Sequence, residues 1–242
     1  MPKRLSRWLL KRRGLWIFRP AVHRPVGGRI RFELSDDTVR VFAGRDSSGV
    51  RGIKLAKGDE VIGLSVLDHV EASIEERAAF LRLATAKRRN GNGNGKGDEE
   101  IEAGADGEET VGDVTIDDAR FDALAAKEEF LLTVTDAGFG KRSSAYEYRV
   151  TGRGGQGIAN ITLAPRNGTA VVATLPVVDE DDVMLVTDAG RLIRVPGDQV
   201  RITGRQAMGV TLFRVDADEH VTSVFPVMED TADDTGGSED EE

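Results

Sequence analysis

The amino-acid sequence repeats itself with a period of 52 residues, and this repeat restricts the fold more than any other feature. Thr135-Asp136-Ala137-Gly138 recurs as Thr187-Asp188-Ala189-Gly190. The same shift relates two further pairs of segments, which are Val150-Thr151-Gly152-Arg153 with Ile202-Thr203-Gly204-Arg205, and Gly157-Ile158 with Gly209-Val210. Self-similarity of this length is typical of proteins that stack one supersecondary unit many times, so we expect a modular repeat fold.

A third copy of the repeat lies upstream of the other two. It contains Phe42-Ala43-Gly44-Arg45, followed by Gly49-Val50. Gly44 precedes Gly152 by 108 residues, which is 56 more than one period, and the stretch from 72 to 127, where the composition changes, has 56 residues. The sequence therefore indicates an insertion into a regular array.

Each repeat has the pattern of a four-stranded β-unit. Runs rich in Val, Ile, Leu, Thr and Tyr are separated by Gly, Asp and Asn, and in the second copy they cover 130–135, 145–150, 158–163 and 169–175. Asp136-Ala137-Gly138 and Arg166-Asn167-Gly168 have the composition of hairpin turns. Four strands in about 50 residues is the size of one propeller blade. We therefore predict an all-β, propeller-like fold of about two and a half four-stranded blades with exposed strand edges.

The insertion and the two ends differ in composition from the repeats. Ser73-Ile74-Glu75-Glu76 has the spacing of a capping box, and an apolar stripe extends a short helix to about Arg89. Residues 90 to 118 hold too few large apolar groups to offset the entropy of ordering, so we expect disorder there. The predicted division is a basic N-terminal segment outside any domain (1–27), a partial blade (28–71), an insertion with a short helix and a low-complexity acidic linker (72–129), two blades (130–178 and 179–228) and a disordered acidic tail (229–242).

The charged residues are strongly segregated along the chain. The net charge is −9, yet residues 1 to 32 contain ten Lys or Arg and no acid. Residues 229 to 242 contain eight acids and no base, and residues 98 to 129 contain thirteen acids against two bases. With these blocks set aside the repeats are close to neutral, so the net charge does not exclude a nucleic-acid partner.

Several classes of site find no support in the sequence. There is no cysteine, and His23, His69 and His220 are widely separated, so we expect neither a metal site nor a cofactor. No apolar run is long enough to cross a bilayer, which predicts a cytoplasmic protein without a membrane partner. No nucleophile, base and orienting group occur at a recognisable spacing, so we expect no catalytic residue in this chain.

The three repeats share the motif Gly-Arg-x-x-x-Gly followed by Val or Ile, at 44–50, 152–158 and 204–210. The glycines permit tight turns, and the arginine takes the same place on each blade. A blade period would space such arginines along a rim, where they could contact successive phosphates of a duplex. The alternative is that the glycines only build turns and the arginines are solvated or paired with Asp46, Asp188 or Asp198. The spacing alone leaves both interpretations open.

Several segments resemble, in the right order, the last blades of the C-terminal β-pinwheel of bacterial DNA gyrase A. They are Gly49-Val50-Arg51-Gly52-Ile53-Lys54-Leu55, Thr135-Asp136-Ala137-Gly138-Phe139-Gly140-Lys141-Arg142 and Thr187-Asp188-Ala189-Gly190, and the resemblance covers about 28–71 and 130–227. The Gln-Arg-Arg-Gly-Gly-x-Gly box of the family is approached only by residues 152–157, which lack the leading Gln-Arg. The resemblance implies a partial β-pinwheel, without the breakage-reunion domain, that binds and wraps duplex DNA without sequence specificity. In the family this wrapping supports ATP-dependent negative supercoiling by the intact type IIA topoisomerase.

The resemblance and the motif together name the candidate residues. The predicted DNA-binding residues are Arg45, Arg51, Lys141, Arg142, Arg153, Arg191, Arg194 and Arg205, and the predicted turn glycines are Gly44, Gly49, Gly152, Gly157, Gly204 and Gly209. Tyr146 and Tyr148 are expected to pack rather than to react. The implied partners are duplex DNA, the remainder of the gyrase A protein and the gyrase B protein, in the nucleoid-associated cytoplasm. Two alternatives remain: the C-terminal region of the A protein of topoisomerase IV, and a protein-interaction propeller without DNA binding.

Overall fold

The predicted all-β, partial pinwheel fold is confirmed in a computed structural model of the chain. The structure describes residues 15–21, 29–33, 46, 48, 51–56, 59–63, 65–91, 114–150 and 157–227. Within these ranges the elements are β1 (Leu15–Ala21), β2 (Arg29–Glu33), β3 (Ser65–Asp68), α1 (Ile74–Gly91), α2 (Asp118–Ala125), β4 (Phe130–Thr135), β5 (Phe139–Ser144), a 3-10 helix (Ala145–Glu147), β6 (Ile158–Ala159), β7 (Val171–Val177), β8 (Asp182–Thr187), β9 (Leu192–Pro196), a second 3-10 helix (Gly197–Gln199), β10 (Val210–Thr211) and β11 (Val221–Val227).

The strands form three antiparallel sheets that follow one plan. The first sheet has the order β3-β1-β2-β6, the second β7-β4-β5-β10 and the third β11-β8-β9. In each sheet a hairpin (β1-β2, β4-β5 or β8-β9) pairs on one side with the last strand of its own repeat. The fourth strand of the first two sheets comes from the following repeat: β6 pairs with β2, and β10 pairs with β5. Successive blades are therefore tied together by strand exchange.

The second sheet is the middle layer, and strand β4 is buried on both faces. Leu131 packs with Leu67 of the first sheet. Its neighbour Leu132 points the opposite way and packs with Val183 and Leu185 of the third sheet. Successive residues of a strand face opposite sides, so a strand between two blades needs apolar residues at consecutive positions. This explains the run Phe-Leu-Leu-Thr-Val-Thr in β4.

The insertion forms two helices that pack on the second blade. The capping box is confirmed: the Ser73 hydroxyl accepts from the Glu76 backbone N–H at 3.2 Å, and the Glu76 carboxylate accepts from the Ser73 N–H at 2.9 Å. Phe80 is fully buried, with ring centroids 4.9 Å from Phe121 of α2 and 5.3 Å from Tyr146. The insertion is therefore anchored by an aromatic cluster on the 3-10 helix that follows β5.

The second helix, α2, was not predicted from the sequence. The sequence predicted disorder over 90–118 and a linker up to 129, whereas a helix covers Asp118–Ala125. Residues 92–113 lie outside the described part of the chain. Asp117 caps α2 by accepting from the Arg120 N–H at 2.7 Å. Phe121 and Leu124, three residues apart, bury one face of the helix. Two large apolar groups at helical spacing were enough for docking, although the surrounding composition is acidic.

Three further details correct the predicted boundaries. Leu15–Ala21 is an inner strand of the first sheet, so the prediction that all of 1–27 lies outside a domain was wrong for these residues. The predicted strand 145–150 begins with a 3-10 helix, because the Ser144 hydroxyl accepts from the Tyr146 N–H and turns the chain. The blades predicted as 130–178 and 179–228 share strands, since β10 belongs to the second sheet. The acidic tail 229–242 lies outside the described residues.

The described ranges show neither a membrane-spanning helix nor a metal-binding cluster. None of the described helices is long and apolar enough to cross a membrane. The same residues contain no group of three or more His, Asp or Glu side chains that could hold a metal ion.

Candidate nucleic-acid interface

Lys141, a predicted DNA contact, is completely buried between two repeats. Its Nζ donates to the carbonyl oxygens of Asn160 at 2.7 Å and Gly204 at 2.9 Å, and also to that of Arg205. Burial lowers the pKa of Lys141 to about 7, and the charge of Glu147 opposes this shift. An ammonium group enclosed by three carbonyls cannot reach a phosphate. The prediction that Lys141 binds DNA is therefore corrected: the residue joins the second and third repeats.

Arg142, the next predicted contact, is also internal. Its Nε donates to the Val200 carbonyl at 2.7 Å, another nitrogen donates to the Asp198 carbonyl at 3.3 Å, and the guanidinium pairs with Asp179. Only 4% of the residue is exposed. All these partners lie at or beyond the turn that leads into the third repeat. Arg142 therefore holds neighbouring blades together and is not available to a duplex in this structure.

Arg205, the described arginine of the Gly-Arg motif, is buried as well. Its guanidinium donates to the Ala159 carbonyl, and its backbone N–H donates to the Glu147 carboxylate. The residue is 5% exposed. Burial raises the pKa of Glu147, and its hydrogen bond from Arg205 opposes that shift. The interpretation that the motif arginine lies on an exposed rim is wrong for this repeat, because its side chain is buried and hydrogen-bonds to Ala159 of β6.

The other two predicted contacts of the third blade, Arg191 and Arg194, are exposed but paired. Arg191 donates to both carboxylate oxygens of Glu219, at 2.6 Å for the first, and to the Arg214 carbonyl at 3.3 Å. Arg194 donates to Asp182 at 2.7 Å. The second blade has Phe139 where the third has Arg191, so this ion pair is not a repeated feature. The equivalent of Arg194 one period upstream is Arg142, which is buried, so neither arginine forms an exposed row with the neighbouring blade.

Of the three remaining predicted contacts, the structure describes one. Arg51 is exposed. Arg45 and Arg153 lie outside the described residues, as do the turn glycines Gly44, Gly49 and Gly152.

The described turn glycines act on the backbone. Gly157 and Gly209 have φ of 82° and 80° and precede the exchanged strands β6 and β10. A Cβ on Gly209 would lie 2.7 Å from the carbonyl oxygen of Gly140 on β5. Glycine is therefore needed where the exchanged strand meets the previous sheet. Gly204 is not among the described glycines with positive φ, and its carbonyl accepts from Lys141.

The Thr-Asp-Ala-Gly turns also have a structural role. Asp136 accepts from the Thr169 N–H at 2.9 Å, and Asp188 accepts from the His220 N–H at 2.9 Å. The His220 N–H lowers the pKa of Asp188 below its ordinary value. Each turn aspartate thus fixes the loop before the last strand of its blade. Tyr148 packs as expected, fully buried, with its hydroxyl donating to Asn160.

The structure brings out two arginines that the sequence reasoning missed. Arg149 and Arg201 are exposed, and each follows the 3-10 helix of its blade at the start of the segment that crosses to the previous sheet. They are 52 residues apart, which is one full period. The signal was present in Tyr-Arg-Val-Thr-Gly-Arg and Val-Arg-Ile-Thr-Gly-Arg, where the first arginine repeats as regularly as the second.

Each of the two exposed arginines directly follows a buried, hydrogen-bonded residue. The residue before each arginine is buried: Tyr148 is 0% exposed and Val200 is 1% exposed. The Tyr148 N–H donates to the Ala145 carbonyl at 3.2 Å, and the Val200 N–H donates to the Gly197 carbonyl at 3.1 Å. The Arg201 carbonyl accepts from the Arg142 N–H at 2.9 Å. Each of these two blades therefore presents an exposed arginine at the same position of the repeat.

Blades that exchange strands and carry an exposed arginine at an equivalent position define a propeller-like repeat protein with a candidate polyanion-binding surface. The model of the DNA gyrase C-terminal domain, a β-propeller, matches residues 30–68, 129–171 and 181–228, which is just over half of the chain. The unmatched interval from 69 to 128 contains both helices of the insertion. The chain therefore belongs to the family of DNA gyrase A C-terminal domains.

Individual relatives agree with this assignment. The DNA gyrase A protein of Granulibacter bethesdensis is 67% identical over 217 residues, covering 89% of this chain and 23% of that protein. The Rickettsia bellii protein of the same name is 44% identical over 218 residues, covering 89% of this chain and 22% of that protein. The chain thus spans less than a quarter of the length of these curated relatives.

Solved structures show the same fold. A DNA gyrase A C-terminal domain matches with a TM-score of 0.54 at 17% identity, covering 90% of this chain and 52% of that chain. The C-terminal domain of a DNA topoisomerase IV matches with a TM-score of 0.56 at 14% identity, covering 88% and 46%. The fold alone does not separate the two classes; the sequence identity to DNA gyrase A does.

Proposed function

We propose that the chain binds duplex DNA without sequence specificity and wraps it, as the C-terminal part of a DNA gyrase A protein. The observation that carries the proposal is the pair Arg149 and Arg201, exposed at equivalent positions on adjacent blades of a gyrase-type domain. Cations at equivalent positions on successive blades suit a ligand with regularly spaced anions. A duplex laid along such a rim follows its curvature, so binding and bending occur together.

The proposed contacts differ from those expected from the sequence. Arg149 and Arg201 replace Lys141, Arg142 and Arg205, whose side chains are internal. Arg51 is retained because it is exposed. Arg45 and Arg153 are retained on the motif alone. These contacts go to phosphates, which position a duplex but do not read its sequence.

The wider activity follows as part of the same proposal. A wrapped segment would be delivered to the cleavage gate formed by the rest of the gyrase A protein, and ATP turnover by the gyrase B protein would drive negative supercoiling. The cellular place would be the nucleoid-associated cytoplasm. The curated relatives that support this proposal are DNA gyrase A proteins.

The test is a double substitution with a matched control. Arg149→Ala/Arg201→Ala should reduce duplex affinity by about tenfold or more and lower the salt slope, the change of log affinity with log salt, by about two. Arg82→Ala is the control, because this arginine is also exposed but lies on α1 of the insertion, outside the blades. Fluorescence anisotropy of a labelled duplex between about 50 and about 200 mM salt measures both quantities.

Two results would refute the assignment of the rim. The double variant could bind as the parent does, or the control could lose as much affinity as the double variant. A folded parent chain that shows no salt-dependent binding would favour a protein-interaction propeller instead.

A further inference from the structure

The insertion packs on the 3-10 helix of the second blade, a few residues before Arg149. Tyr146, the middle residue of that 3-10 helix, is 8% exposed, and its ring centroid lies 5.3 Å from that of Phe80 on α1. One period downstream the equivalent residue is the exposed Asp198, which has no ring to pack. The aromatic contact with the insertion therefore distinguishes the blade of Arg149 from the blade of Arg201.

Tyr146 contacts both helices of the insertion. Its hydroxyl donates to the carbonyl of Leu124 in α2 at 2.9 Å. Phe80 also stacks on Phe121 of α2, so the ring contacts of Tyr146 continue from one helix to the other. Burial raises the pKa of Tyr146 to about 12, so the hydroxyl keeps its proton at neutral pH and remains a donor. Tyr146 is thus the residue at which α1, α2 and the second blade meet.

The two helices of the insertion are linked to each other near both ends of α1. Near its N-terminus the Glu76 carboxylate accepts from the Arg120 Nε of α2 at 2.9 Å. Near its C-terminus Arg88 donates to Glu128, just beyond α2, at 2.6 Å, and the Glu128 side chain is only 7% exposed. A pair that is largely withdrawn from water is screened less than an exposed one. We therefore expect the two helices to act on Tyr146 as one unit.

The first residue of each 3-10 helix is held without any contact from α1 or α2. The Ala145 N–H donates to the Glu129 carbonyl at 2.9 Å, and one period downstream the Gly197 N–H donates to the Asp181 carbonyl at 2.7 Å. This backbone bond is common to both blades. The insertion therefore adds a second point of attachment at the next residue of the second blade, Tyr146.

A short and well-connected segment leads from Tyr146 to Arg149. Tyr148 is fully buried, and its hydroxyl donates to the side chain of Asn160. The Tyr148 N–H donates back to the Ala145 carbonyl at 3.2 Å. Because the residue before Arg149 is bonded to the first residue of the 3-10 helix, a shift of that helix also shifts the backbone that carries the arginine.

We propose that the insertion positions Arg149 for its contact with DNA, and that Tyr146 is the positioning residue through which it acts. The inference rests on the proposed function, in which Arg149 and Arg201 contact phosphates. Arg149 depends on the insertion for its place, whereas Arg201 follows a 3-10 helix without the aromatic contact. The two blades therefore differ in how their hold on DNA is set, although their arginines occupy equivalent positions of the repeat.

A double-mutant cycle tests the link between Tyr146 and Arg149. Tyr146→Phe keeps the ring but removes the hydrogen bond to Leu124. It should reduce duplex affinity by about threefold in the parent chain and in Arg201→Ala, both of which retain Arg149. It should have no further effect in Arg149→Ala, because the arginine through which it acts is gone. Fluorescence anisotropy of a labelled duplex at about 100 mM salt measures each affinity.

A second variant and a control separate positioning from a general loss of stability. Phe80→Leu loosens the contact from the side of the insertion and should show the same dependence on Arg149. Val221→Ala is the matched control: Val221 is 2% exposed in β11 and pairs with Thr187, at the end of the third sheet remote from its 3-10 helix. This variant should lose stability but bind the duplex as the parent does, per folded molecule. Circular dichroism establishes that each variant is folded.

The outcomes distinguish the positioning role from the proposed function. Unchanged affinity of Tyr146→Phe, an equal loss with and without Arg149, or the same loss in Val221→Ala would each overturn the positioning role while leaving the DNA-binding surface in place. An Arg149→Ala chain that binds as the parent does would instead refute the assignment of Arg149 to that surface, and the positioning role with it.

Discussion

Gly209 tests whether strand exchange holds the blades together. Replacing it by alanine puts a side chain on a residue with φ of 80°, which costs about 1 to 2 kcal/mol in an L-residue. The new Cβ would lie 2.7 Å from the Gly140 carbonyl, a backbone atom that cannot move without displacing β5 or β10. Losing the short pairing of β10 with β5 removes about two backbone hydrogen bonds, worth about 1 kcal/mol each. The expected loss in the free energy of unfolding is about 3 to 4 kcal/mol.

Gly190→Ala is the control that isolates the contact. Gly190 has nearly the same φ, 81°, but nothing lies within 4 Å of its Cβ position. Its substitution should cost only the backbone strain, about 1 to 2 kcal/mol. Equilibrium urea unfolding, followed by far-ultraviolet circular dichroism, measures both losses. If Gly209→Ala costs no more than Gly190→Ala, the exchanged strand does not contribute the stability assigned to it.

Three further predictions concern the buried polar and aromatic groups. The pKa of Lys141 in the folded chain, about 7, lies below its unfolded value of 10.5. Between these two pH values the unfolded chain binds more protons than the folded chain. The free energy of unfolding therefore increases as pH rises from about 7 to about 10. Lys141→Met should flatten that rise in urea unfolding measured at several pH values; an unchanged slope would contradict the burial of the ammonium. Arg142→Ala should lower the free energy of unfolding by about 2 to 3 kcal/mol, because the Val200 carbonyl loses its charged donor, while duplex affinity per folded molecule stays the same. A loss of duplex affinity without a loss of stability would instead place Arg142 at the DNA-binding surface. Phe80→Ala should cost about 3 to 5 kcal/mol by opening the cluster of Phe121 and Tyr146, and hydrogen exchange should show α1 and α2 losing protection before the sheets do. Uniform loss of protection would mean that the insertion and blades unfold as one unit.

The blade architecture could be predicted because it depends on periodic local signals. The turn Asp136-Ala137-Gly138 lies between β4 and β5 as expected, since glycine supplies the positive φ of the turn. Strand exchange could not be predicted in the same way. Strands β6 and β10 have two residues each, and nothing in so short a run specifies whether it pairs within its own blade or with the previous one.

The candidate interface was predicted less well, for a physical reason. The sequence shows where an arginine or lysine occurs but not whether its side chain faces solvent or a neighbouring blade. Lys141 follows Gly140 on a strand that is covered by the next repeat. Its long side chain donates hydrogen bonds to the carbonyl oxygens of Asn160 and Gly204. Arg149 carries the same charge but lies on a segment that leaves its side chain exposed. Only the packing of one repeat on the next separates the two roles.

We expect the surface that presents Arg149 and Arg201 to bend a duplex. The most direct measurement is resonance energy transfer between dyes on the two ends of a duplex of about 40 base pairs, which is short compared with the persistence length of DNA. Addition of the parent chain should draw the ends together and raise the transfer efficiency, and the effect should fall with rising salt and with Arg149→Ala/Arg201→Ala. Binding without a change in transfer efficiency, or an equal rise with the double variant, would contradict wrapping of DNA by these arginines.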